Sequence, residues 1–109
     1  MIERLTPPGS PVPKGPYSPV VKAGGFVFLA GQIPQEKGDI RHETRQVLTN
    51  IKSMLEGVGA SMKQVVKSVV YLSDAADFAG MNEVYAEFFG DDKPVRTTIV
   101  CKFMADIKV

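Results

Sequence analysis

Two stretches constrain this chain more than any other feature: Gly25-Phe26-Val27-Phe28-Leu29-Ala30-Gly31-Gln32-Ile33 and Gln64-Val65-Val66-Lys67-Ser68-Val69-Val70-Tyr71-Leu72. Each is a short apolar run, rich in β-branched and aromatic residues, and reads as a strand. Successive side chains on a strand point to opposite faces. In both runs the two alternate sets are largely apolar, so both faces need cover. The rest of the chain has to provide that cover or recruit it.

Two helices are available. Over residues 40–56 apolar side chains recur at Val47, Leu48, Ile51, Met54 and Leu55, with Val58 just beyond, the spacing of one helix face. Asp39 is the expected N-cap, and Gly57 or Gly59 ends the helix. Residues 75–89 form a second helix, capped by Asp74, with Asp77 near the positive end of its dipole. Phe78, Met81, Tyr85, Phe88 and Phe89 make its buried stripe, and Gly90 closes it.

Further strands are expected at 17–22, 94–103 and from 106 to the last residue, 109. The first pairs with 25–33 through the Ala23-Gly24-Gly25 turn. Pro19 cannot donate a ladder bond and places that first strand at an edge. Residues 1–16, with Pro7, Pro8, Pro11, Pro13 and Pro16, read as extended chain with little regular structure. The order is ββ-α-β-α-ββ. It is an α+β layer, one mixed sheet with both helices on one face, in a single domain over residues 1–109. Two helices cover one face only. The second face of the apolar strands is expected to be covered by other copies of the chain.

Arg96 stands out in the strand after Pro94. Alternation puts Val95, Thr97, Ile99, Cys101 and Phe103 on one face, read as the core face, and Arg96, Thr98, Val100 and Lys102 on the other. A guanidinium at the start of such a strand needs a partner for its charge. It is either solvated or held ready for a carboxylate, which its planar fork grips through two parallel hydrogen bonds.

Composition removes several functions. Thirteen Lys and Arg against 12 Asp and Glu give a net charge of +1, with no general pull on nucleic acid or anionic membranes. The apolar runs are too short to span a bilayer, and Met1–Thr6 lacks the apolar centre of a signal peptide. A single Cys, Cys101, and a single His, His42, cannot build a Cys/His zinc site. His42, between Arg41 and Glu43 at a helix start, reads as a solvated residue. No metal or cofactor is expected, and the cytosol is the expected location.

Taken in order, Gly15-Pro16-Tyr17-Ser18, Gly31-Gln32-Ile33-Pro34, Thr44-Arg45-Gln46-Val47-Leu48, Asp77-Phe78 with Asn82-Glu83-Val84-Tyr85, and Pro94-Val95-Arg96-Thr97 resemble the RidA/YjgF family of reactive-intermediate deaminases. Each motif is short, but five in order and spacing cover the chain from about residue 12 to its end. The resemblance implies a fold like the bacterial, trimeric chorismate mutase: a homotrimer with helices outside and ligand clefts between subunits. It implies hydrolysis of enamines and imines such as 2-aminoacrylate and 2-iminopropanoate to 2-keto acids and ammonia. Arg96 then binds the substrate carboxylate, and Tyr17, Gly31 and Asn82 line the cleft. Thr98 falls where many members place Cys or Thr beside the hydrolytic water. Gln32 braces its loop, and Cys101 is a core residue. The loop Gln35–Asp39 is shorter than usual for the family. Members also continue into a strand carrying a Glu, one residue past Val109. The competing expectations are a regulatory trimer that binds small carboxylic acids without turnover and, weakest given the charge balance, an endoribonuclease.

Overall fold

The computed structural model describes all 109 residues. Five strands and two helices follow in the order β1 (Glu3–Leu5), β2 (Val20–Ala23), β3 (Phe26–Leu29), α1 (Ile40–Gly57), β4 (Lys67–Leu72), α2 (Phe78–Phe89) and β5 (Val95–Val100). The strands pair as two sets: antiparallel β1-β2-β3, and parallel β4-β5. Gly24 and Gly25 turn β2 into β3 at φ of 60° and 81°, a left-handed pair that only glycine adopts freely.

Three expectations need correction. The strand that follows Pro19 is not at an edge. Glu3, Arg4 and Leu5 pair with Lys22, Val21 and Val20, so β2 is central and Pro19 stands just ahead of it. The strand expected from 106 does not form. Met104–Asp106 bends instead, and the backbone makes a single rung there, the Ser73 N–H donating to the Lys108 carbonyl at 3.0 Å. The third correction concerns faces. On β5 it is Arg96 and Thr98 that are half-buried, while Val95, Thr97 and Ile99 are exposed. Alternation separates the two faces of a strand but does not say which one meets the helices, and the long stem of Arg96 supplies enough apolar surface to pack inward.

The helices cover one side of both sheets. Leu48, Leu55, Met81, Val84, Tyr85 and Phe89 form the core with Leu72, against Val27, Leu29 and Val70 from the inner strand faces. The outer faces carry Phe26, Phe28, Val69, Tyr71, Val95 and Ile99, between 40% and 69% exposed. No helix of the chain covers this outer face. Arg41–Glu83 and Arg45–Glu87 ion pairs, each 2.7 Å, tie α1 to α2 on the outside. The hydrogen bond from each arginine holds its glutamate below the usual carboxylate range. Both pairs are exposed and weak.

β3 and β4 do not pair with each other. A groove of about 1190 Å³ opens between them, floored by Leu48, Ile51 and Leu55 of α1 and reached by Val109. In the first turn of α1 lies a charge that the helix's apolar pattern does not announce. Glu43 is fully buried. Its carboxylate accepts from the Gly38 N–H at 3.2 Å, the Lys108 N–H at 2.7 Å and the Lys108 ammonium at 3.3 Å. One side chain thus joins the loop before α1 to the end of the chain.

Candidate functional site

Arg96 occupies the second position of β5, where the register sets it beside Ser68 of β4. Its guanidinium carbon lies 4.7 Å from the centre of the Tyr85 ring and 5.6 Å from that of Phe78, both on α2. Nη1 reaches the Met81 sulfur at 3.9 Å. Arg96 takes part in none of the protein's ion pairs. Its charge faces two aromatic rings and a thioether, partners that attract a cation without neutralising it. Beneath it the Ser68 and Tyr85 hydroxyls share a 2.6 Å hydrogen bond.

Thr98, two residues along β5, is half-buried on the same face and pairs in register with Val70. Asn82 follows Met81 on α2. It is half-buried, and its Oδ1 is buried without a hydrogen-bond partner. A bare acceptor of this kind is costly unless something supplies a donor. Arg96, Thr98 and Asn82 therefore lie on β5 and the helix it packs against.

Tyr17 and Gly31 lie elsewhere in the protomer. Together with Ser18, Phe28 and Ala30 they line an open cavity of about 550 Å³ at the β2–β3 end, to which Arg96, Thr98 and Asn82 do not contribute. Tyr17 is half-exposed, and the space beside Gly31 is empty to beyond 4 Å. Gln32 braces its own loop by donating from Nε2 to the Ala30 carbonyl at 3.1 Å. His42 is exposed, 3.8 Å from the Glu36 carboxylate, and Cys101 is half-buried. Within one chain, Arg96, Thr98 and Asn82 on β5 and α2 thus stand apart from Tyr17 and Gly31 at the β2–β3 end.

Sequence reasoning missed what surrounds Arg96. In the sequence Tyr85 and Phe78 are stripe residues of α2, and Ser68 is one position of an apolar strand. Putting the core on the other face of β5 hid their meeting with Arg96. Glu43 also passed unremarked, although it stands four residues before Val47 on the apolar stripe and so on the buried side.

The sequence model of the family described as Endoribonuclease L-PSP matches residues 8–109. A RutC family protein of Pyrococcus horikoshii is 52% identical over 106 residues, covering 91% of this chain and 84% of that protein. Among solved structures, yeast Mmf1 superposes with a TM-score of 0.93 at 30% identity, over 99% of this chain and 92% of its own. E. coli TdcF with bound serine superposes with a TM-score of 0.89 at 31% identity, over 97% and 91%.

Proposed function

The chain belongs to the RidA/YjgF family, whose sequence model carries the L-PSP name, and on that premise we propose that it hydrolyses reactive 2-imino acids and their enamine tautomers to 2-keto acids and ammonia. Its α+β, chorismate-mutase-like fold is the family's. The observation that carries the reading is Arg96: a half-buried guanidinium, held by aromatic rings, with no carboxylate of the protein to pair with. A ligand carboxylate completes it through charge-assisted, bidentate hydrogen bonds. The serine in the E. coli relative's structure is a small molecule of that kind, with a nitrogen on the carbon next to a carboxylate.

The chemistry asks little more of the protein. Water adds to the imine carbon, the carbinolamine collapses, the C–N bond breaks, and nitrogen leaves as ammonia. Arg96 holds the carboxylate, the unpartnered Asn82 oxygen accepts from the imine N–H, and Thr98 orients the water. Orientation and fixed dipoles then supply the acceleration. The coupled assay generates 2-aminoacrylate with a serine dehydratase and follows the semicarbazide-trappable imine. Added protein is expected to shorten the imine's lifetime in proportion to its concentration. No acceleration, with 2-ketobutyrate still bound, would leave a regulatory carboxylate-binding protein in its place.

These two groups of residues meet if subunits associate through the outer sheet faces. Tyr17 and Gly31 of one protomer then complete the cleft around Arg96 of the next, in a homotrimer. Burial of Phe26, Phe28, Val69, Tyr71, Val95 and Ile99 drives the association at about 25 cal/mol per Å². Light scattering is expected to give three times the 11.8 kDa chain mass. A monomer in dilute solution with a cooperative thermal transition would remove both the trimer and the shared cleft.

A further inference from the structure

The surroundings of Arg96 point to a device for aiming it. Ser68 and Arg96 are paired in register across β4 and β5. The Ser68 hydroxyl is 2.6 Å from the Tyr85 hydroxyl, and the Tyr85 ring lies 4.7 Å from the Arg96 guanidinium carbon. Tyr85 is buried, and its ring centre is 4.5 Å from that of Phe89. The ring is therefore held at its tip by Ser68 and at its side by Phe89. An arginine side chain left free in a cleft has many rotamers, and ordering it on binding subtracts from affinity. Contact with a ring face restrains the guanidinium yet leaves its N–H groups to donate elsewhere.

We propose that Tyr85, fixed by Ser68, is a positioning residue for Arg96: it restrains the guanidinium before ligand arrives, so that a small 2-keto or 2-imino acid meets a pre-aimed fork. The proposal rests on the reading of Arg96 as the carboxylate anchor. Tyr85 itself does not touch substrate. Restraint of the anchor acts on ground state and transition state alike, so its loss raises KM and leaves kcat nearly unchanged.

The experiment titrates 2-ketobutyrate into wild type, Tyr85→Phe, Tyr85→Leu, Ser68→Ala and Arg96→Ala, with imine-hydrolysis kinetics and a melting curve for each. Tyr85→Leu is expected to weaken 2-ketobutyrate about 5- to 30-fold, the range of a desolvated cation–ring contact. KM is expected to rise by a similar factor at nearly constant kcat. Tyr85→Phe and Ser68→Ala each keep the ring and lose the same hydrogen bond, and both are expected to fall between wild type and Tyr85→Leu. In the Arg96→Ala background, Tyr85→Leu is expected to add nothing further. The Arg96 Hε resonance of the ligand-free protein supplies a readout independent of binding. It is expected to carry a ring-current shift in wild type and to lose the larger part of it in Tyr85→Leu, the Phe78 ring remaining, or, should that variant not fold, to move in Ser68→Ala. Wild-type affinity in a folded Tyr85→Leu, an additive effect in the double variant, or an unshifted Hε in wild type would each overturn the positioning role. Wild-type affinity in Arg96→Ala is a different failure: it removes the carboxylate-anchor reading itself.

Discussion

An Arg96→Ala variant is expected to fold and to lose about 30- to 1000-fold in kcat/KM for imine hydrolysis. That range corresponds to about 2–4 kcal/mol for a charge-assisted, bidentate carboxylate contact. The cost to the fold is small, because two opposing effects meet there. Truncation gives up the contacts with Tyr85 and Phe78, about 0.5–1 kcal/mol each. It also removes a half-buried cation that no protein carboxylate compensates, which returns part of that loss. Arg96→Lys is expected to fail nearly as badly as alanine in catalysis, since an ammonium cannot reproduce the planar fork or its contact with both rings. The decisive comparison is kcat/KM in the coupled dehydratase assay at matched oligomer concentration, with melting curves recorded alongside. Hydrolysis within 3-fold of wild type in either variant would show that the chemistry does not run through Arg96.

The second large effect is on stability, at Glu43. Glu43→Ala removes the only acceptor that the structure gives the Gly38 and Lys108 N–H groups and leaves the Lys108 ammonium without its partner. Breaking a buried charged network of this kind costs about 3–5 kcal/mol. For a domain of this size that corresponds to a fall in Tm of roughly 10–25 °C. Glu43→Gln keeps the volume and one acceptor oxygen but turns an NH₂ toward donors, and is expected to cost about half as much. Lys108→Met leaves the fully buried Glu43 carboxylate its two backbone donors but no cation and is expected to cost about 1–3 kcal/mol. Thermal unfolding at fixed protein concentration ranks the three variants. A Glu43→Ala midpoint within 2 °C of wild type would mean that the three donors find other acceptors and that the carboxylate does not hold the end of the chain.

These two residues also mark how far reading the sequence could go. Arg96 was legible because a cation near the start of an apolar strand breaks the local pattern, and four other short motifs stood in order around it. Its environment was not legible. The period of two assigns Arg96 and Thr98 to a common face, and that held. Choosing which face packs on the helices requires knowing which is more apolar in total, and Val95, Thr97 and Ile99 looked the better core. They form instead part of the outer apolar surface. Glu43 was hidden for a related reason. A carboxylate on a helical stripe reads as a solvated charge, and only the fold shows that two backbone N–H groups and an ammonium converge on it.

The helices followed from local chemistry. Asp39 accepts from the His42 N–H as an N-cap should, and Asp74 accepts from the Ala76 N–H ahead of α2. The Gly24-Gly25 turn was equally local, since its positive φ values demand residues without a Cβ. Backbone preference and side-chain period act over a few residues, so the sequence by itself determined the helices, the β2–β3 turn, the apolar character of the strands and the prominence of Arg96. Only the tertiary structure decided the pairing of Glu3–Leu5 with β2, the inward face of β5, the meeting of Ser68, Tyr85 and Arg96, and the convergence of three donors on Glu43. Each of these depends on contacts between residues far apart in the chain. Their energies are settled by packing against the whole core, which no short window of sequence contains.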